Sequence, residues 1–466
     1  MGCKMHDTMH DFVEYLNQNE CFTMKPTITH GIETSSANDV TKPPLGDKVR
    51  HLTLMFAREG PFPSFISSFV NCEILRTFAS FDSRITTIDS NLIRQLKRLR
   101  TLNLRDNHIE QLPEEIGDLM HLRNIDLSCN IFRLLPDSVC NLYNLQTLRL
   151  DRCKSLAKLP KNMGKLINLK HLHVEFCISM RYLPKGIGSI RNLRILNGHG
   201  SACFYCSEHA KSLTFGDLRT MNQLRRLAIF IVGIGEDAAS KAEKAELRKK
   251  EQLSHLDLYF SGYDDDVGAG LMDALQPPEN LESLEIGQYN GSTWPTWMTT
   301  SYLTKLTVFH LGYSRHSSAL PPLGKLPSLK VIKLMSMDCL REIGREFFGV
   351  TDHTCSTSSS SSSSFPSLET LFLGNLSMFE KWELGREAED SSNSQMSIMP
   401  RLSSLHIVEC PKLKQLPDFL LQNVPLQNLL IDHCDSFGIL PDEFISRITN
   451  VTIIQYGVDP FIRDRF

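Results

Sequence analysis

The string His6-Asp7-x-x-His10 has the spacing of a helical metal-binding pair. At i and i+4 two imidazoles share a helix face, and an acidic residue beside the first can act as a base. Here the base would be Asp7, with a shorter reach than glutamate, and no third ligand follows at the usual spacing. Phe12, Val13 and Leu16 supply an apolar face, so the stretch reads as the polar side of a structural element. Cys203-x-x-Cys206 has the spacing of half a zinc site, but no second pair lies nearby, and it reads as a stray pair in a loop. His171 and His173, two apart on an expected strand, face the same way and read as solvated strand residues. No nucleophile–base order or carboxylate pair stands out. No catalytic residue, no metal ligand and no enzymatic activity are expected.

The bulk composition narrows the class. With 41 % hydrophobic and 22 % charged residues, the chain of 466 residues reads as a folded, soluble protein. No stretch approaches the roughly 18 apolar residues of a membrane helix, and the start lacks the apolar core of a secretory signal. His6 also stands where a myristoylation signal wants Ser or Thr. The 13 cysteines are therefore expected as reduced thiols. Net charge is −3, but residues 84–194 carry nineteen Lys/Arg against ten Asp/Glu, a local excess of +9. Such a region could draw nucleic acid. Lys158, Lys161 and Lys165 fall on expected return turns without interleaved aromatics, and an acidic protein partner fits better.

What positions these residues is a repeat. The pattern L-x-x-L-x-L-x-x-N/C recurs at Leu99/Leu102/Leu104/Asn107, Leu122/Ile125/Leu127/Asn130, Leu145/Leu148/Leu150/Cys153 and Leu169/Leu172/Val174/Cys177. Each copy closes on an apolar-Pro-x-x-apolar block: Leu112-Pro113 with Ile116, Leu135-Pro136 with Val139, Leu159-Pro160 with Met163, and Leu183-Pro184 with Ile187. A single coil cannot bury its apolar side, and stacking on the next coil does so. The fold expected is an α/β repeat solenoid, a leucine-rich-repeat horseshoe with a parallel concave sheet. Looser copies begin near Val49, Leu75, Leu224, Leu253, Leu281, Leu306, Leu329, Leu368, Leu402 and Leu426. Cys153, Cys177, Cys410 and Cys434 take the buried slot after a strand. Insertions are expected at about 197–222 and 351–364. The serine run Ser358 to Ser364 reads as a loop that cannot pack, and Ala238 to Gln252 as a solvated outer helix.

The opening string KMHDxxHDFxxYLxxNECF, Lys4 to Phe22, resembles the end of the nucleotide-binding module of plant intracellular NB-LRR disease resistance proteins, the coiled-coil class above all. Further matches lie in Trp294-Pro295-x-Trp297, Leu320-Pro321-Pro322-Leu323-Gly324-Lys325, Glu346-Phe347-Phe348-Gly349 and Phe365-Pro366-Ser367-Leu368-Glu369 with Trp382. The resemblance implies a winged-helix remnant at 1–33, a linker at 34–46 and repeats over 47–466. It implies a plant-defence role, non-enzymatic and autoinhibitory, in sensing pathogen effectors. The implied partners are the nucleotide-binding module of the same or another receptor, and a pathogen effector or guarded host protein. The implied location is cytoplasmic, with nuclear or peripheral membrane sites as alternatives. No P-loop is present, so no cofactor is expected; ADP or ATP would enter only with the missing nucleotide-binding module. His6, in the Met5-His6-Asp7 motif, is then vestigial. The competing reading is a general cytosolic repeat scaffold for small-GTPase or kinase signalling.

Strand register gives the expected partner-binding residues. Asn103, Asp126, Arg149 and His173 form one exposed column, with Arg152 beside it, and suit an internal docking surface. Glu285, His310, Lys333, Phe372, His406 and Leu430 form another, whose mix of aromatic, apolar and charged side chains suits recognition of a partner.

Overall fold

The computed structural model describes residues 20–24, 48–55, 70–81, 85–198, 203–205, 211–232, 237–261, 265–291, 293–314, 316–349, 363–382 and 397–454. Two compact units divide the chain, the first mainly residues 1–224 and the second mainly 225–466. In both, short strands pair in parallel with the same position of the next coil.

Among the described residues of the first unit, eight strands run from Cys21–Met24 to Ile195–Asn197, each paired with its neighbour in sequence. Leu102, Ile125, Leu148 and Leu172 are consecutive partners and at most 1 % exposed, so the expected ladder is the core. The return side is short 3-10 turns that open on Pro113, Pro136 and Pro184, where a missing N–H leaves no bond unmade. Among the described residues of the second unit, nine strands stack likewise, from Arg226–Val232 to Asn450–Ile454.

Where Asn or Cys fills the slot after a strand, its side chain bonds back to the preceding coil. Asn130 Nδ2 donates to the Leu104 carbonyl of the preceding coil (2.8 Å). The Cys153 and Cys177 thiols do the same to Leu127 and Leu150, at 3.2 and 3.0 Å. Cys410 and Cys434 repeat the arrangement toward Leu373 and Ile407. Burial pushes the Cys153 thiol well above its ordinary range, which keeps its proton available to donate.

Several expectations are corrected. Within the segment placed ahead of the repeats, Cys21–Met24 is a strand of the sheet, paired with His51–Met55. Arg50 and Glu20 add an ion pair beside it at 3.3 Å. The insertion near 197–222 ends earlier: Ser212 bridges Pro184, and Leu213, Phe215, Leu218 and Met221 are buried as a return block. The serine run packs at its end, since Ser364 is 1 % exposed and its hydroxyl donates to Phe348 O at 2.8 Å. The segment from Ala238 is not a fully solvated helix. Ala238, Ala242, Ala245 and Leu247 form a buried stripe, because alanines at helical spacing allow close packing that the charge count hides.

Lys250 follows that stripe at 1 % exposure, and burial pushes its ammonium down to about 8. Between that value and the ordinary 10.5, the unfolded chain holds a proton that the folded chain lacks. Stability from this group therefore rises with pH across the window and is lowest below it. Buried thiols such as Cys72 and Cys140, raised to about 11, act in the opposite sense above pH 9. The clean measurement is thus a difference. The stability of Lys250→Met minus that of the parent, from urea unfolding, should fall by about 2 kcal/mol between pH 8 and 10. A difference independent of pH would mean that the ammonium stays charged inside the fold.

Candidate protein-binding surface

Side chains at alternate strand positions leave the core and stand on the open face of the sheet. In the first unit, register aligns Ala79, Asn103, Asp126, Arg149, His173 and Asn197 in one column. Arg149 is held by two carboxylates, Asp126 at 3.7 Å and Asp151 at 3.1 Å. Arg152 sits in the left-handed region at φ 61° and lays its guanidinium over the Phe176 ring, 5.5 Å from the centroid. The two arginines named from sequence are therefore fixed in place by their own unit before any partner arrives. His171 is half-buried beside Thr147, and burial followed by the charges of Arg194 and Lys170 holds its imidazole below the usual value. Ile131, Phe176 and Ile178 of this unit are exposed apolar side chains, at 44 %, 37 % and 68 %.

In the second unit the column runs Asp257, Glu285, His310, Lys333, Phe372, His406, Leu430, in unbroken register. All six residues named from sequence stand in it. Glu285 accepts from the Tyr259 hydroxyl and lies 3.7 Å from His310 Nδ1. Burial, then the Glu285 charge, pushes the Tyr259 phenol far above its ordinary value, so it remains a neutral donor. The Phe372 and His406 rings lie 6.0 Å apart. Two residues on is Gly374, where a Cβ would come 2.5 Å from the Phe372 ring, so glycine leaves the ring its place.

Sequence reasoning missed Tyr259, Asp151 and Glu175. Tyr259 has a signal in the strand period, two positions from Asp257 on the strand His255–Ser261, whereas Asp151 and Glu175 stand in the turns just after their strands, where that period ends. His6 lies outside the described residues, as do the side chains of the Cys203-x-x-Cys206 pair. Among the described residues no helix is long and apolar enough to cross a membrane.

A family model described as a leucine-rich repeat region matches residues 48–157 and 119–431. An Arabidopsis thaliana protein named as a disease resistance protein is 30 % identical over 434 residues, 88 % of this chain and 28 % of its own length. Disease resistance protein RGA2 of Solanum bulbocastanum is 45 % identical over 241 residues, 51 % of this chain and 24 % of that protein. The chain thus spans about a quarter of the length of these relatives. Among solved structures, a Leptospira interrogans leucine-rich-repeat protein aligns with a TM-score of 0.52 at 19 % identity, over 86 % of this chain and 85 % of that one. That likeness is one of fold.

Proposed function

Because the chain belongs to the leucine-rich-repeat family and its curated relatives are plant disease resistance proteins, we propose that it serves plant defence as a recognition module without catalysis of its own. The observation that supports this best is the unbroken column from Glu285 to Leu430. It combines a carboxylate, two imidazoles, an ammonium, a ring and an aliphatic side chain on strands whose intervening residues are buried. Rigid display of varied side chains suits a protein partner. Aromatic and apolar members supply burial, and the charged ones supply discrimination.

The partner of this column, on the resemblance to disease resistance receptors, is a pathogen effector or a guarded host protein. The Asn103-to-His173 column, inside the basic stretch 84–194, would dock a nucleotide-binding module. A ligand that binds the displayed face disfavours the docked state, which is how recognition becomes a signal. A surface of this charge should lose affinity with salt. The chain itself would take no nucleotide, and its place of action would be intracellular.

The test replaces His310, Lys333 and Phe372 together by Ala in a receptor that carries the nucleotide-binding module. Circular dichroism and the melting midpoint should stay near the parent, while effector-triggered signalling falls to background. Arg149→Gln with Arg152→Gln should instead give signalling without effector. Glutamate would be a poorer choice at 149, since it would face Asp126 and Asp151 and destabilise the sheet. Parental behaviour in both variants would remove the division into a docking and a sensing column.

A further inference from the structure

We propose that Asp151, His173 and Glu175 form a divalent-cation site on the open face of the first unit. One ligand atom from each lies within 4.8 Å of the others. The repeat brings this about. His173 ends the strand His171–His173, and Glu175 stands in the turn just after it. Asp151 takes in the preceding coil the place that Glu175 takes in its own, since Arg149 and His173 are register partners.

The donor set has a definite chemistry. One imidazole with two carboxylates suits Zn²⁺, Co²⁺ or Mn²⁺, whereas Ca²⁺ and Mg²⁺ ask for more oxygen ligands. Both carboxylates are held by further hydrogen bonds. The Glu175 backbone N–H donates to Asp151 Oδ1 at 3.0 Å, and Arg149 grips Oδ2 at 3.1 Å. Asn197 Nδ2 donates to Glu175 Oε1. Partners of this kind orient ligands and tune affinity. Three protein ligands leave coordination positions for water or for a side chain of a docked protein.

Arg149 sets the affinity. Its guanidinium opposes a cation at Asp151 and shares itself with Asp126 at 3.7 Å. Metal binding would loosen that grip and change the charge the surface presents, so cation and partner are coupled through one arginine. This coupling rests on the docking role proposed for the column, but the site itself does not.

The experiment titrates the whole purified chain with Co²⁺ under reducing conditions and follows visible absorption and the melting midpoint. One equivalent should bind with a nitrogen–oxygen spectrum and raise the midpoint. His173→Ala, an exposed-face change, should weaken binding by about tenfold or more, and Asp151→Asn likewise. Arg149→Gln should tighten it severalfold, a result that a merely structural ion pair would not give. Thiolate-to-cobalt absorption accounting for all bound metal would overturn the site in favour of the cysteines. So would unchanged binding in His173→Ala, or no saturable binding at all. Partner docking that fails while Co²⁺ binds as expected would count against the docking reading alone.

Discussion

Gly324→Ala should destabilise the second unit by about 3 kcal/mol or more, a large effect for one added methyl. A Cβ at this position would stand 2.1 Å from the Phe348 carbonyl oxygen, 2.3 Å from its carbon and 2.6 Å from Ser364 Oγ. These are mostly backbone atoms, and the backbone cannot retreat. Gly324 N–H donates to Phe347 O at 3.0 Å, and Gly324 O accepts from Phe365 N–H at 2.7 Å. Moving either strand of chain would break one of those bonds. It would also disturb the packed rings of Phe347, Phe348 and Phe365, whose centroids lie 4.9 to 6.0 Å apart. Gly270→Ala is the control. It lies within the helix Asp265–Ala274 with nothing within 4 Å of its added Cβ. There the methyl should stabilise by about 0.5–1 kcal/mol, the ordinary helix preference for alanine. Urea unfolding of the three proteins checks the pair, and equal shifts for the two variants would refute the close approach at Gly324.

The regular coils were legible because each buried leucine is specified again about 23 residues later. Leu102, Ile125, Leu148 and Leu172 need no knowledge of the turns between them to be aligned. The exposed columns follow from the same alignment, since a period of two leaves each residue only two choices of face. The legibility ends where the repeat loses its leucines. Cys21–Met24 pairs as a strand but has no L-x-x-L-x-L run to announce it. Ile195–Asn197 and Asn450–Ile454 join their sheets on shorter signals, Leu193-x-x-Leu196 and the alternation of Val451 with Ile453. The Ala238 stripe was hidden by the charges around it. Ser364 was hidden by composition, because low complexity says nothing about a hydroxyl that finds one carbonyl. The Asp151, His173 and Glu175 group was out of reach for a different reason. His173 alone reads as a solvated strand position and the two carboxylates as turn residues, and only the pairing of two coils makes them neighbours.

Asn130→Ala should cost about 3–5 kcal/mol, because it strands the buried Ile109 N–H and removes one donor from each of two buried carbonyls. Asn130 is 1 % exposed. Its Nδ2 donates to Leu104 O and Leu127 O at 2.8 and 2.9 Å, and its Oδ1 accepts from Ile109 N–H at 3.1 Å. Alanine leaves the buried Ile109 N–H without this acceptor, while Leu104 O keeps Asn107 Nδ2 at 3.1 Å and Leu127 O keeps the Cys153 thiol at 3.2 Å. Cysteine is the informative comparison, since Cys153 fills the same slot one coil later and its thiol donates to Leu127 O at 3.2 Å. A thiol at 130 could keep the bond to Leu104 but would offer the Ile109 N–H only a weak acceptor. The sequence carries the trace of this difference. The Asn coils place Leu112 and Leu135 five residues after Asn107 and Asn130, whereas Leu159 and Leu183 come six residues after Cys153 and Cys177. The longer turn closes on itself, with Leu156 N–H donating to Cys153 O at 3.0 Å and Met180 N–H to Cys177 O at 2.8 Å. Asn130→Cys, set in the shorter turn, should therefore cost about 1–3 kcal/mol, between parent and alanine. Urea midpoints ordered parent, cysteine, alanine are the expected result. A cysteine variant as stable as the parent would show that the Ile109 bond contributes nothing, and one as weak as alanine would show that the donor to Leu104 does not.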